Sequence, residues 1–188
     1  MEDTYPPHSQ DFCTSKQTKF ALFSTNSKSL IDSDRKRNKN IPSFQLWLRR
    51  KQTAKNSIWK LICRVFYRLS GAFYCNDIQT TYIGRSLYIG HPYGITINKN
   101  AILGDMVNIH KGVTIGQENR GKRKGTPIIG SYVWIGINST IVGSITIGDD
   151  VLIAPNTYLN RDVPAHSIVF GNPAIIKPTK NATAHYIT

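Results

Sequence analysis

Residues 97–102 read INKNAI, 103–108 read LGDMVN and 109–114 read IHKGVT. After an interruption, 129–134 read IGSYVW, 135–140 IGINST, 141–146 IVGSIT, 147–152 IGDDVL, 153–158 IAPNTY and 159–164 LNRDVP. Every block opens on a large aliphatic: Ile97, Leu103, Ile109 and then Ile115, and again Ile129, Ile135, Ile141, Ile147, Ile153 and Leu159. The fifth place is small or β-branched (Ala101, Val107, Val113, Val133, Ser139, Ile145, Val151, Thr157, Val163), and the second is often glycine. A strict period of six is neither the helical 3.6 nor alternation by two. Each unit supplies one short strand and one turn, three units close a triangular coil, and the coils stack as a parallel solenoid. The first place points into the narrow interior, the fifth faces inward near a corner that limits its size, and the second suits the corner itself. A run of hairpins would need turn signals about every 8–12 residues and alternation by two, and neither is present. The expected class is all-β, a parallel β-helix.

Upstream the beat is kept at Ile83-Gly84 and Ile89-Gly90, but the later register runs back to Ile97 rather than to residue 95. Two extra residues therefore lie in Gly90-His91-Pro92-Tyr93-Gly94, and an insertion in a solenoid bulges outward at one corner. Stacking Ile109 on Ile89 puts His110 one coil above Gly90 and close to His91. A second interruption, Gln117 to Thr126, is polar and holds Arg120, Lys122, Arg123 and Lys124, a compact positive arm suited to phosphates or an acidic acceptor.

The chain of 188 residues carries a formal charge of +13. Residues 1–75 hold 14 Lys/Arg against 5 Asp/Glu. Residues 1–42 are rich in Ser, Thr, Asn, Asp and Lys and read as a disordered basic tail. Basic residues without interleaved aromatics or a fold motif do not make a nucleic-acid site, so no nucleic acid is expected. Residues 43–75 read as an amphipathic helical segment. Ile58, Ile62, Val65, Phe66 and Leu69 share one face, Lys55, Lys60, Arg64 and Arg68 lie largely off it, and Gly71 is the stop. That face is expected to pack on the mouth of the β-helix or on a neighbouring subunit, with an anionic membrane surface as the alternative. No stretch approaches membrane-spanning length and no leader is visible. Cys13, Cys63 and Cys75 have no metal spacing and read as free thiols of a reducing cytoplasm. A zinc site wants three convergent ligands. His91 and His110 converge but His166 falls beyond the last coil, so no metal is expected. Residues 178–188 form a C-terminal tail without a readable pattern.

The sixes, the His91–Gly94 bulge, the basic loop and the closing Gly171-Asn172-Pro173-Ala174 resemble the hexapeptide-repeat acyltransferases, in particular their serine acetyltransferase-like branch, over about residues 80–177. The resemblance implies a left-handed coil, an exception to the usual crossover rule. It also implies a homotrimer with acetyl-CoA in the groove between adjacent β-helices, and acetyl transfer to a hydroxyl. His91 matches the family's catalytic histidine, which can take the hydroxyl proton and return it to the departing thiolate. Acceptor-binding residues would be His110, Asn108 and Thr126. The acetyl-CoA groove would be lined by Gly116, Gly136, Ile137, Ala154 and Pro155, with Lys177 as a phosphate contact.

Two departures bear on the acceptor. The family's serine-specific members carry Asp before the histidine, where this chain has Gly90, and an Arg-His pair before a proline, where it has Gly125 and Thr126. The expected acceptor is therefore a sugar or surface-polysaccharide precursor, with L-serine as the alternative and a non-catalytic binding module as a third reading. The expected location is the cytoplasm, with a contact to the inner face of the membrane as the variant.

Overall fold

The computed structural model describes residues 26–80 and 82–187. Its body is a three-faced parallel β-helix. Face A stacks β1 (Asp77–Ile78), β3 (Thr96–Ile97), β6 (Thr114–Gly116), β9 (Thr140–Val142) and β12 (Tyr158–Leu159). Face B stacks β4 (Ile102–Leu103), β7 (Ile128–Ile129) and β10 (Thr146–Ile147). Face C stacks β2 (Tyr88–Gly90), β5 (Asn108–His110), β8 (Val133–Ile135), β11 (Val151–Ile153) and β13 (Ser167–Phe170), and an antiparallel β14 (Ile175–Pro178) closes its upper edge. The chain runs from A to B to C in every coil.

The six-residue beat maps directly onto this body. Ile97 pairs with Ile115 and Val133 with Val151, each eighteen residues apart. All ten first-place aliphatics from Ile97 to Leu159 are fully buried, and all nine fifth-place residues are buried beside them. Each such aliphatic contributes about 1.5–3 kcal/mol on leaving water. The two polar fifth-place residues find acceptors inside: Ser139 Oγ and Thr157 Oγ1 both donate to the Ala154 carbonyl, at 2.9 and 2.7 Å. At the edge between faces B and C, Met106, Tyr132, Asp150 and His166 repeat a left-handed conformation with φ of 54–59°.

Among the described residues three helices precede the coil: α1 (Ser27–Arg37), α2 (Ser43–Thr53) and α3 (Ser57–Ala72). The expectation of a disordered tail through residue 42 does not hold for its described part. Asn26 caps α1 by accepting from Ser29 N at 2.9 Å, and Arg35, Lys36 and Arg37 sit in the last turn, where the helix dipole favours cations. Residues 1–25, including Cys13, lie outside the described residues. Helix α1 stays because Asp34 is buried against Arg49 of α2, with Nη2 to Oδ1 at 2.8 Å and both side chains fully buried. Arg49 also donates to the Ile83 and Gly84 carbonyls, while Asp34 accepts from Leu87 N. These groups belong to the first coil, whose open edge would otherwise present unpaired backbone. Phe44 and Leu48 of α2 plug the mouth beneath Ile78, Ile83 and Leu87.

The helical segment comprises two helices. Asn56 restarts it as α3, accepting from Ile58 N and Trp59 N. Helix α3 turns Cys63, Tyr67 and Gly71 inward, and Tyr67 Oη accepts from Ile78 N at 2.7 Å. Its apolar face is not packed on the mouth of the β-helix as expected, because α2 already fills that place. Ile58, Ile62, Val65, Phe66 and Leu69 are all exposed on this chain. Cys63 and Cys75 are free thiols. Among the described residues no helix is long and apolar enough to cross a membrane.

Candidate active site

His91 follows β2 at the edge where face C turns into face A. The two extra residues are visible in the register: Ile89 pairs with Ile109, twenty residues on. The bulge is held from both sides. Gly94 N donates to the Tyr74 carbonyl and Asn76 Nδ2 to the Pro92 carbonyl from below, while Gly112 N donates to the Tyr93 carbonyl from above. Tyr93 N closes a tight turn onto the His91 carbonyl at 2.8 Å. His91 itself takes φ of 54° and its side chain is exposed. Histidine takes that left-handed conformation more readily than most residues other than glycine, and here the surrounding hydrogen bonds hold it.

His110 lies where the register puts it, paired with Gly90. A Cβ at Gly90 would stand 2.7 Å from His110 Cε1 and 2.8 Å from its Nδ1. The ring of His110 thus fills the space that a side chain before His91 would take. Burial, reinforced by repulsion from His91, lowers the His110 pKa and keeps the ring neutral at neutral pH, with one donor and one acceptor nitrogen.

On the outer surface of face C, Tyr88, Asn108, His110 and Trp134 line a cavity of about 330 Å³ with Arg37 and Tyr186. The rings of His110 and Trp134 are 4.8 Å apart, and Tyr186 meets Trp134 edge-on at 5.0 Å. The Arg37 guanidinium sits 5.7 Å from the Tyr88 ring centre and donates to the Ser86 carbonyl. Asn108 is 3 % exposed and donates Nδ2 to the Tyr186 carbonyl at 3.0 Å. Among the described residues its Oδ1 and His110 Nε2 find no hydrogen-bond partner. Both atoms are shielded from solvent, each at a cost of about 1–3 kcal/mol unpaired, while the side chains that carry them form part of the cavity wall.

The C-terminal segment closes this cavity, and nothing in its sequence announces it. Asp150 anchors it by accepting from Ala182 N, Thr183 N and Thr183 Oγ1, and its Oδ2 lies 2.8 Å from His166 Nδ1. Burial pushes the Asp150 carboxyl up, but these hydrogen bonds outweigh it and hold the group below its ordinary value.

Four of the residues proposed for the donor share the edge of His91. Asn138 N donates to the Lys111 carbonyl and Asn156 N to the Ile137 carbonyl, so Gly136-Ile137 and Ala154-Pro155 rise in successive coils above the bulge. They are packed so closely that a Cβ at Gly136 would lie 2.6 Å from Pro155 N. Gly116 is elsewhere, at the edge from A to B in register with Val142. Lys177 is exposed on β14 opposite Ile168, away from that edge. Thr126 does not join Asn108 and His110. It lies at the edge from A to B and donates Oγ1 to the Asn100 carbonyl at 3.1 Å. The basic arm folds back at the same edge, through a Glu118–Gly125 bridge and a 3-10 turn at Gly121–Arg123, with Ser144 N donating to the Arg123 carbonyl. Among the described residues no three His, Cys, Asp or Glu side chains are grouped to hold a metal ion.

Residues 126–161 match the bacterial transferase hexapeptide family (six repeats). The chain is 38% identical over 92 residues to a serine acetyltransferase of Helicobacter pylori, and 36% identical over 107 residues to serine acetyltransferase 4 of Arabidopsis thaliana. It spans 54% and 30% of the lengths of those two proteins. To the provisionally named colanic acid biosynthesis acetyltransferase WcaB of Escherichia coli it is 37% identical over 134 residues, which are 70% of this chain and 82% of that protein. In fold it is similar to the crystal structure of serine acetyltransferase from Brucella abortus, with a TM-score of 0.68, 22% identity, and 92% of this chain and 74% of that one covered. The coil is the left-handed β-helix, and the chain belongs to the hexapeptide-repeat acyltransferases, in their serine acetyltransferase-like branch.

Proposed function

We propose that the protein transfers the acetyl group of acetyl-CoA to a hydroxyl of a sugar, with His91 as the base. The observation that carries this is the juxtaposition of a rigidly held, exposed His91 with the aromatic cavity around Asn108 and His110. His91 takes the proton of the acceptor hydroxyl as its oxygen bonds to the thioester carbon. The tetrahedral intermediate then expels the CoA thiolate, which takes the proton back from the imidazolium. The edge above His91, with Gly136, Ile137, Ala154 and Pro155, rises about 14 Å over three coils and suits an extended pantetheine arm. In a homotrimer, Gly116 and the basic arm of a neighbouring chain would close the other side of that groove.

The cavity suits a pyranose. Its volume fits one ring, Tyr88, Trp134 and Tyr186 offer faces for the sugar's C–H groups, and the side chains of Asn108, His110 and Arg37 add polar groups to the wall. With His110 over Gly90, and Gly125 and Thr126 at the loop's end, the groups that would hold an amino-acid carboxylate are missing. WcaB, named for colanic acid biosynthesis, is matched over most of its length, which favours the same reading. L-serine is the second reading, favoured by the serine acetyltransferases among the relatives. Acetyl-CoA belongs to the cytoplasm, where the free Cys63 and Cys75 would stay reduced.

The test is free thiol released from acetyl-CoA with nucleotide sugars, oligosaccharides or L-serine as acceptor. Release is expected with a sugar and not with L-serine, and release with L-serine would overturn the acceptor assignment. Trp134→Ala is expected to raise the KM for the sugar about tenfold with the KM for acetyl-CoA unchanged. Gly90→Ala should do the same with the fold intact, because the Cβ meets only side-chain ring edges, those of His110 at 2.7 Å and Tyr88 at 3.1 Å, and displaces them within the cavity.

A further inference from the structure

Helix α3 is amphipathic in an unusual sense, since its apolar side faces away from the protein. Cys63, Tyr67 and Gly71 mark the inward strip. At 100° per residue, Leu61, Val65, Ile58, Leu69, Ile62, Phe73, Phe66 and Trp59 sweep an arc of roughly 160° centred nearly opposite to it. Ile58 is 71 %, Leu69 68 % and Phe73 76 % exposed. Trp47 of α2 extends this surface, stacking on Phe66 at 4.6 Å. A soluble helix turns such a stripe inward.

The charge around it selects the occupant. From Asn38 to Asn76 there is no Asp or Glu, while Lys39, Arg50, Lys55, Lys60, Arg64 and Arg68 fall in the same span, and Arg49 and Lys51 are buried. Arg68 borders the apolar arc on one side and Arg64 lies about 40° farther round, while Lys60 falls on the opposite side of the helix. Between α3 and β1, a cavity of about 600 Å³ gathers Lys51, Arg64, Arg68 and Lys99 around a single carboxylate, Asp77. A second copy docking α3 on α3 would bring cations against cations. An anionic lipid surface answers both features, with acyl chains for the arc and phosphates for the cations.

We infer that α3 is a membrane-docking helix that lies in the surface of an anionic bilayer, its apolar arc at the acyl boundary and its cations among the lipid phosphates. This stands apart from the acetyl-transfer reading, because the helix can dock whether or not the chain is active. Its consequence for function is that His91 works beside a lipid surface, where a lipid-linked acceptor would be concentrated.

The experiment is co-sedimentation of the full chain with vesicles of phosphatidylcholine alone and of phosphatidylcholine mixed with phosphatidylglycerol. The protein is expected to pellet with the mixed vesicles, to stay in solution with the neutral ones, and to be released by salt. Val65→Glu with Leu69→Glu is expected to reduce pelleting at least tenfold, with the circular dichroism and Tm unchanged, because both side chains point away from the fold. A wild-type chain that stays in solution with the anionic vesicles would overturn the inference. So would a fall in solution mass in the double variant without a loss of pelleting, which would assign the face to a second copy.

Discussion

Replacing His91 with alanine is expected to lower kcat for acetyl transfer by about 10²–10⁴-fold, the usual contribution of a positioned general base. The KM for acetyl-CoA should hardly change, because the donor edge at Gly136, Ile137, Ala154 and Pro155 is built by other coils. The choice of substitution matters because His91 has φ of 54°. Alanine pays for that conformation with strain, so a lost activity could be confused with a displaced bulge. Asparagine tolerates the left-handed region and cannot accept the proton. His91→Asn should therefore show the same fall in kcat with wild-type thermal stability. The hydrogen bonds that hold the bulge, from Asn76 to Pro92 and from Gly112 to Tyr93, involve no His91 side-chain atom. If His91→Asn kept its rate while His110→Asn lost it, the base would be His110, and the roles of the two rings would have to be exchanged.

The largest effect on stability is expected from the ion pair under the first coil. Asp34→Asn leaves the Arg49 guanidinium buried without its counter-charge, and should cost about 3–5 kcal/mol, read as a lower urea midpoint and Tm. Arg49→Met should cost a similar amount, since it strands the Asp34 carboxylate and the Gly84 carbonyl that Arg49 now satisfies, while the Ile83 carbonyl keeps its bond from Gln52. The combination Asp34→Leu with Arg49→Met removes both charges together and should recover most of the loss, though not the bonds to the first coil. Independent, additive effects of the two single changes would contradict a coupled pair. A near-neutral Asp34→Asn would mean that α1 contributes little to closing the β-helix.

Much of the fold was legible in the chain itself. The six-residue beat decides locally which side chain points in, so Ile97 through Leu159 could be placed in the interior before any contact was known. The same counting located the two insertions, because a bulge at His91 and an arm after Gly116 are departures from a regular period. It also placed His110 over Gly90, since in-register stacking converts residue spacing into height along the coil.

Tertiary structure alone decided the rest, for two physical reasons. The first is distance along the chain. The cavity beside His91 is assembled from Arg37, Tyr88, Asn108, Trp134 and Tyr186. Only the helix packing at one end and the Asp150-anchored tail at the other bring these together. For the same reason Thr126 could be aligned with a functional position and still lie at a different edge. The second is that a pattern does not say what it faces. The composition of residues 27–37 resembles that of a solvated tail, yet Asp34 is buried because Arg49 is there to meet it. The apolar stripe of α3 was plain in the sequence, but whether it turned inward or outward depended on α2, whose Phe44 and Leu48 had already filled the mouth of the coil.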